Sequence, residues 1–272
     1  MAMWALLAGL LGGCAVAPPS PNMPAAGTPI TLHNVPLHPQ RSDHCGPAAL
    51  AMMLGWSGLS LSPDDLAADL FIPQRAGTLQ TELIAQTRAR ARLPWRLSGG
   101  FETLLGELRA GRPVLVMQNL ALPWWPRWHY AVVVGYRPAR ATVILHGGGE
   151  HPQAMPLRRF LRSWERAEHW AMLTLPPGQV PTGAEALAYL RAAYALETTQ
   201  GAANALPYYH TARRHWPYSA EAHLSLANAW HQAGDSKRAI AVLQDALAGG
   251  LRDARIEHNL RWLRQHDGAG QG

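Results

Sequence analysis

Cys45 is the residue of this sequence best placed for covalent chemistry. Gly46 and Pro47 follow it, then an apolar run from Ala48 to Leu54. Proline suits the first turn of a helix, because the N–H it lacks would find no partner there. The spacing therefore predicts that Cys45 opens a buried helix. At that place the helix dipole and the unpaired N–H groups favour a thiolate, as a nucleophilic cysteine requires. Gln40 lies five residues upstream, and its amide could reach back beside the sulfur. It could donate to an oxyanion, with the Cys45 N–H as the second donor. A cysteine ahead of a helix, taken alone, fits an inert core thiol better. Gln40 and a partner base reverse that preference.

A thiol nucleophile needs an imidazole, and the chain has 13 histidines. His129 opens Tyr130-Ala131-Val132-Val133-Val134-Gly135-Tyr136, a β-branched run that reads as a buried strand. A histidine there sits at the rim of a sheet, within reach of a site. His44 adjoins the nucleophile but should project from a turn. His169, His210, His215, His223 and His231 lie in later segments, where surface or satisfied core histidines are expected. No pair has a metal-ligand spacing, so neither a zinc site nor a cofactor is expected.

The next strand is Thr142-Val143-Ile144-Leu145-His146. A two-residue loop at Arg137-Pro138 would set His146 opposite His129, and a four-residue loop would pair it with Ala131. Either register puts His146 on the face of His129, since cross-strand partners share a face. His146 is thus the expected orienter of His129, with Glu150 and a backbone carbonyl as alternatives. A neutral orienter stabilises an imidazolium less than a carboxylate does.

Gln40, a short spacer and Cys45-Gly46-Pro47-Ala48-Ala49-Leu50 resemble the papain-like double-glycine leader peptidases and their stand-alone relatives, over about residues 33–175. The resemblance implies an α+β papain-like peptidase domain acting on peptides or proteins. It makes Cys45 the nucleophile and gives Gln40 the oxyanion role. His129 becomes the base, in a His-aromatic-x-Val-Val phrase. It also implies Asp or Asn as the third member. Here no Asp or Asn occurs between Asn119 and Asn204, and His146 stands in that place. Relatives that cut after a double glycine are fused to transporters, so that specificity is not carried over.

Other elements must position these groups. Ser62 and Pro63 start one helix, and Thr78 with Thr81 or Glu82 forms an approximate capping box for another. Phe101 to Ala110 forms a third helix, ended by Gly111, and Val114 to Gln118 is a core strand. Trp124, Trp125 and Trp128, just ahead of His129, could wall a substrate groove or pack their loop.

At the N-terminus, Met1 to Leu11 is apolar but shorter than the ~20 residues that span a membrane. It suits a secretory signal, although no Lys or Arg precedes it. Leu11-Gly12-Gly13-Cys14 resembles a bacterial lipobox, which implies a diacylated Cys14. With Ala15 next, that resemblance implies an outer-membrane lipoprotein facing the periplasm. The Pro-rich stretch that follows reads as an extended tether. The two cysteines, Cys14 and Cys45, have separate fates, and no disulfide is expected.

After Pro176-Pro177-Gly178 the composition turns to Ala-rich helix. Ala205, Ala212 and Pro217 recur as Ala239, Ala246 and Leu251, and Tyr189 and Tyr209 as His223 and Leu243, always 34 residues on. The period resembles the tetratricopeptide repeat, which implies a protein partner. The second unit carries Gly234-Asp235, which the first lacks. The layout read from sequence is a signal over 1–13, a tether over 14–32 and a peptidase domain over 33–178. An all-α repeat domain over 184–266 follows, with units 186–219 and 220–253 and a capping helix from Ile256 to Gln265. Two repeats alone are marginal, so docking on the peptidase domain is expected.

The net charge of +6 is almost all arginine, with Lys237 the single lysine. The densest basic stretch, Arg88 to Arg96, reads as the solvated face of a helix, and no nucleic-acid partner is expected. Two functions from different classes follow. One is a cell-envelope thiol peptidase whose repeats recruit a partner or substrate. The other is a catalytically weak or inactive peptidase-fold scaffold acting through its repeats. Acyl transfer to an amine would use the same residues as the first.

Overall fold

The computed structural model describes residues 27–39, 44–72, 74 and 77–266. The segment read as a signal, Cys14, most of the stretch read as a tether and Gln40 lie outside the described residues. Seven strands form one antiparallel sheet. They are β1 (Ile30–Thr31), β2 (Leu93–Arg96), β3 (Val114–Asn119), β4 (Trp128–Arg137), β5 (Thr142–His146), β6 (Gln153–Pro156) and β7 (Ala171–Leu175). Their order is β2-β7-β3-β4-β5-β6, with β1 pairing β4 at Ile30↔Tyr136 and Thr31↔Gly135.

Helix α1 (Cys45–Trp56) covers one face of the sheet. It is apolar all round because it is enclosed: Ala48 through Leu54 have no exposed surface. Burying Leu50, Met52, Met53 and Leu54 contributes about 1.5–3 kcal/mol each. Helix α2 (Pro63–Leu70) starts as expected, with a capping box between Ser62 and Asp65. Helix α3 (Gln80–Ala89) does not: Leu79 is its cap, with no side-chain hydrogen bond. The expected capping role of Thr78 is therefore corrected. Its side chain is spent against Gly46, and its hydroxyl is buried without a partner.

The basic stretch from Arg88 to Arg96 is not one helix either. Helix α3 ends at Ala89, Ala91 takes a left-handed φ of 51°, and Leu93–Arg96 forms β2. Pro94 is the physical reason, since a helix interior would lose a hydrogen bond and clash there. Arg96 lies over the Trp170 ring, 4.8 Å from its centroid.

The opposite face of the sheet is covered by α4 (Phe101–Arg109) and α5 (Leu157–Glu165). Leu104, Leu105, Phe160 and Trp164 pack there on Val116, Ala131 and Val133. The same apolar cluster continues into five antiparallel helices: α6 (Ala186–Gln200), α7 (Ala202–His215), α8 (Ala220–Gln232), α9 (Ser236–Ala248) and α10 (Ala254–His266). Their starts recur 34 residues apart: Ala186, Ala220 and Ala254, and Ala202 and Ser236. Ala205 and Ala239 are fully buried, as small residues must be where helices approach closely.

The helical region docks on the sheet domain. The Tyr208 hydroxyl donates to the carbonyls of Ala91 and Leu175, and Trp95 packs on Tyr189. A buried ion pair, Glu107–Arg112, holds the linker between them. Glu107 accepts from the Thr182 N–H at 2.7 Å, and Arg112 donates to the Thr182 hydroxyl at 2.7 Å.

Candidate active site

Cys45 is the first residue of α1 and is half-buried, while everything from Gly46 to Leu54 behind it is buried. Its position in the first turn sets N–H groups that have no acceptor within the helix close to the sulfur. Gly46 has a steric reason: a Cβ there would stand 2.5 Å from the Thr78 Cβ. The Thr78 carbonyl in turn accepts from the Tyr130 hydroxyl at 3.2 Å. Thr78 thus ties the start of α1 to the start of β4. Burial pushes the Tyr130 phenol well above its ordinary pKa, and the charge of Cys45 adds to the shift. Cys45 and Tyr130 both belong to the apolar cluster on the α1 face of the sheet.

His129 is the second residue of β4 and pairs directly with Gln118 of β3. Its ring donates to the carbonyl of Gly147. The contact is close enough that a Cβ on Gly147 would stand 3.5 Å from His129 Nε2. Burial holds the imidazole below its ordinary pKa, and the charge of Arg127 adds a little, against the opposing effect of the Gly147 bond. A neutral imidazole fixed through one nitrogen has the other free to take a proton. Tyr130 faces α1 and the His129 ring stands near Ala131, so thiol and imidazole both lie by the start of β4, with the strand's alternation setting them toward opposite faces.

His146 is not on His129's face, which corrects the sequence-based register. Arg137 pairs with Thr142, and that register alone would put His146 opposite Val133, on His129's face. A β-bulge between Val133 and Gly135 shifts the pairing by one, so His146 stands opposite Val132. One residue of slip moves a side chain to the other face. Ala131 and Val133 belong to the cluster under α5, whereas Val132 and Ile144 pack under α1. His146 is buried, and its Nδ1 lies 3.3 Å from the Pro36 carbonyl. Burial lowers its pKa. The hydrogen-bond partner of the His129 ring is instead the Gly147 backbone carbonyl, and a backbone carbonyl is one of the alternatives named from sequence.

Gln118 went unremarked in the sequence. It is fully buried, and its Nε2 donates to Ser163 Oγ at 2.6 Å. The Ser163 hydroxyl spends its own proton on the Phe160 carbonyl at 2.8 Å. That fixes the amide's orientation and leaves the Gln118 carbonyl oxygen buried without a hydrogen bond. A Gln in a strand interior gives no such signal until its partner across the sheet is known.

The three tryptophans do not pack their loop: Trp124 and Trp125 are 78% and 76% exposed. Asn119 builds that loop, accepting from the N–H groups of Ala121 and Arg127 at 3.0 Å each.

A peptidase C39-like family model matches residues 32–172, just over half of the 272 residues. The chain belongs to the peptidase C39-like family. A tetratricopeptide repeat model matches residues 200–258. Among solved structures, a C39-like peptidase from Bacillus anthracis is similar at 17% identity, covering 54% of this chain and 96% of that one, with a TM-score of 0.44. The peptidase domain of Streptococcus ComA, a bifunctional ABC transporter of a quorum-sensing pathway, is similar at 20% identity. The match covers 53% of this chain and 99% of that one, with a TM-score of 0.42. A double glycine motif protease from an AMS/PCAT transporter, solved with its leader peptide, matches at 15% identity, over 55% and 99% of the two chains, with a TM-score of 0.42. No curated protein matches the chain significantly. The C39-like family and the repeats accord with the fold expected from Cys45, His129 and the 34-residue period.

Proposed function

We propose that the chain is a cell-envelope thiol peptidase that hydrolyses peptide bonds in a peptide or protein substrate brought to it by its repeats. The observation that carries this reading is the placement of Cys45 on the first turn of a buried helix; His129, at the start of β4 with its ring bonded to the Gly147 carbonyl and its pKa lowered by burial, supports it. His129 takes the thiol proton as Cys45 attacks the scissile carbonyl, then returns it to the leaving amine. Water hydrolyses the acyl-enzyme. The Cys45 N–H and the Gln40 amide, assigned through the family resemblance, receive the oxyanion. Cys14 carries a lipid anchor that holds the body at the periplasmic face of the outer membrane. The test is hydrolysis of a peptide mixture, read by mass spectrometry for new termini. Cleavage should vanish in Cys45→Ala, and equal cleavage by that variant would sink the proposal.

The orientation of His146 supports a second reading. Among the described residues no carboxylate is seen on His129, and His146 is turned to the other face; on that footing the fold could serve as a scaffold whose repeats bind a partner. On that reading, labelled substrate peptides bind but leave intact.

A further inference from the structure

The hairpin between β3 and β4 ends in an apolar tip that none of the described residues covers. Within seven residues it presents Leu122, Trp124, Trp125 and Trp128, which are 49%, 78%, 76% and 51% exposed. Collapse onto the body would hide such rings, and the loop is built to prevent it. Asn119, 1% exposed, holds both ends of the loop through the N–H groups of Ala121 and Arg127, and donates to the Leu122 carbonyl at 3.3 Å. The Trp125 N–H donates to the Leu122 carbonyl at 3.2 Å, and Pro123 and Pro126 fix their own φ. The Arg166 guanidinium, just past the end of α5, donates to the Ala121 carbonyl.

We infer that this tip inserts into the headgroup layer of an anionic phospholipid membrane. Two facts separate a membrane from other occupants. Rings more than three-quarters open have no neighbours to form a groove wall, whereas a peptide site is concave. The four side chains together offer about 600 Å², below the roughly 800 Å² per partner of a stable protein interface. Tryptophan favours the membrane interface, where its ring is buried and its N–H stays wet. The surroundings are cationic as well. Arg127 is on the tip, Arg159 and Arg162 are exposed on α5 and Arg166 lies just past it, against two acids in that stretch, Glu165 and Glu168. Arginine beside an interfacial aromatic cluster is the charge pattern that anionic lipid attracts. Trp128 precedes His129 directly, so insertion would place the mouth of the candidate site at the lipid surface.

The test uses the full chain with Cys14→Ser, so that no acyl chain contributes. Co-sedimentation is measured with phosphatidylcholine vesicles with and without phosphatidylglycerol, along with tryptophan quenching by brominated lipid. The chain should bind the phosphatidylglycerol vesicles, less so as salt is raised. Trp124→Ser/Trp125→Ser should lower binding roughly tenfold or more and remove most of the quenching, with its circular dichroism unchanged. Equal binding by the two proteins, or no binding by the parent, overturns the inference. So does a double variant that loses soluble-peptide cleavage while its vesicle binding is intact, which would assign the rings to substrate.

Discussion

The sheet domain and the repeat region bury different things. The repeats close around apolar side chains such as Ala205, Ala239, Tyr189 and Leu243, and bury the polar side chains of Glu197, Thr211 and His223 among them. The sheet domain buries His146, Gln118, Glu107 and Ser163 within or beside its core. Burying polar groups costs stability unless each is paired, and the Gln118 carbonyl is not. His223 Nδ1 in the repeats is unpaired too, so what separates the regions is where the cost falls: in the sheet domain the unpaired group, Gln118, is the cross-strand partner of His129, whereas in the repeats it lies within a helix stack.

The largest effect that could break this contrast lies at the junction of the two regions. Glu107→Leu should destabilise the chain by about 3–5 kcal/mol in urea unfolding, because it strands Arg112 in the interior. Glu107→Leu/Arg112→Leu should recover most of that loss. A single variant as stable as the parent would show that the ion pair does not hold the linker.

Next in size are the places where backbones meet closely. A Cβ on Gly135 would stand 2.5 Å from the Ile30 carbonyl oxygen, so Gly135→Ala should cost about 1–3 kcal/mol. Ala205→Leu and Ala239→Leu, equivalent positions one repeat apart and both fully buried, should each cost a similar amount. A large inequality between those two would weaken the repeat equivalence.

The pH dependence sharpens the contrast further. His129 and His146 are held neutral by burial, below the ordinary 6.5. As pH falls below that value the unfolded chain binds protons that the native chain does not. Their contribution is therefore fully present above about pH 6.5 and is lost on acidification. The urea midpoint should fall between about pH 7 and pH 5, and less steeply in His146→Leu. An unchanged slope in that variant would mean His146 titrates freely.

The smallest effect concerns catalysis. His146→Ala should change kcat/KM by less than roughly tenfold, because the Gly147 carbonyl, not His146, holds His129. A loss of about a thousandfold would restore His146 to the site.

Much of this architecture can be read from residue order alone. Pro47 after Cys45 marks the start of α1, the Val132–Val134 run marks β4, and the 34-residue recurrence marks the helices. These signals are local or periodic, and each acts within one element. The face of His146 is not local. It depends on one bulged residue near Gly135, where β1 crosses close to β4, and parity counting across a loop cannot detect it. Strand β2 was hidden by the Arg-rich composition around it, although Pro94 signalled that a helix could not continue. The roles of Thr78 and Gln118 come from partners 32 and 11 residues away, at Gly46 and His129.

The central claim is that Cys45 is a nucleophile activated by His129. It is tested most directly by the rate of labelling with a thiol-reactive peptide electrophile across a pH series, in the parent, Cys45→Ala and His129→Ala. The account predicts rapid labelling that disappears in Cys45→Ala and slows by about a hundredfold or more in His129→Ala. The acid limb should fall below pH 6.5, set by the depressed imidazole. Slow labelling of the parent, at a rate indifferent to His129→Ala, would contradict it and leave the chain a scaffold.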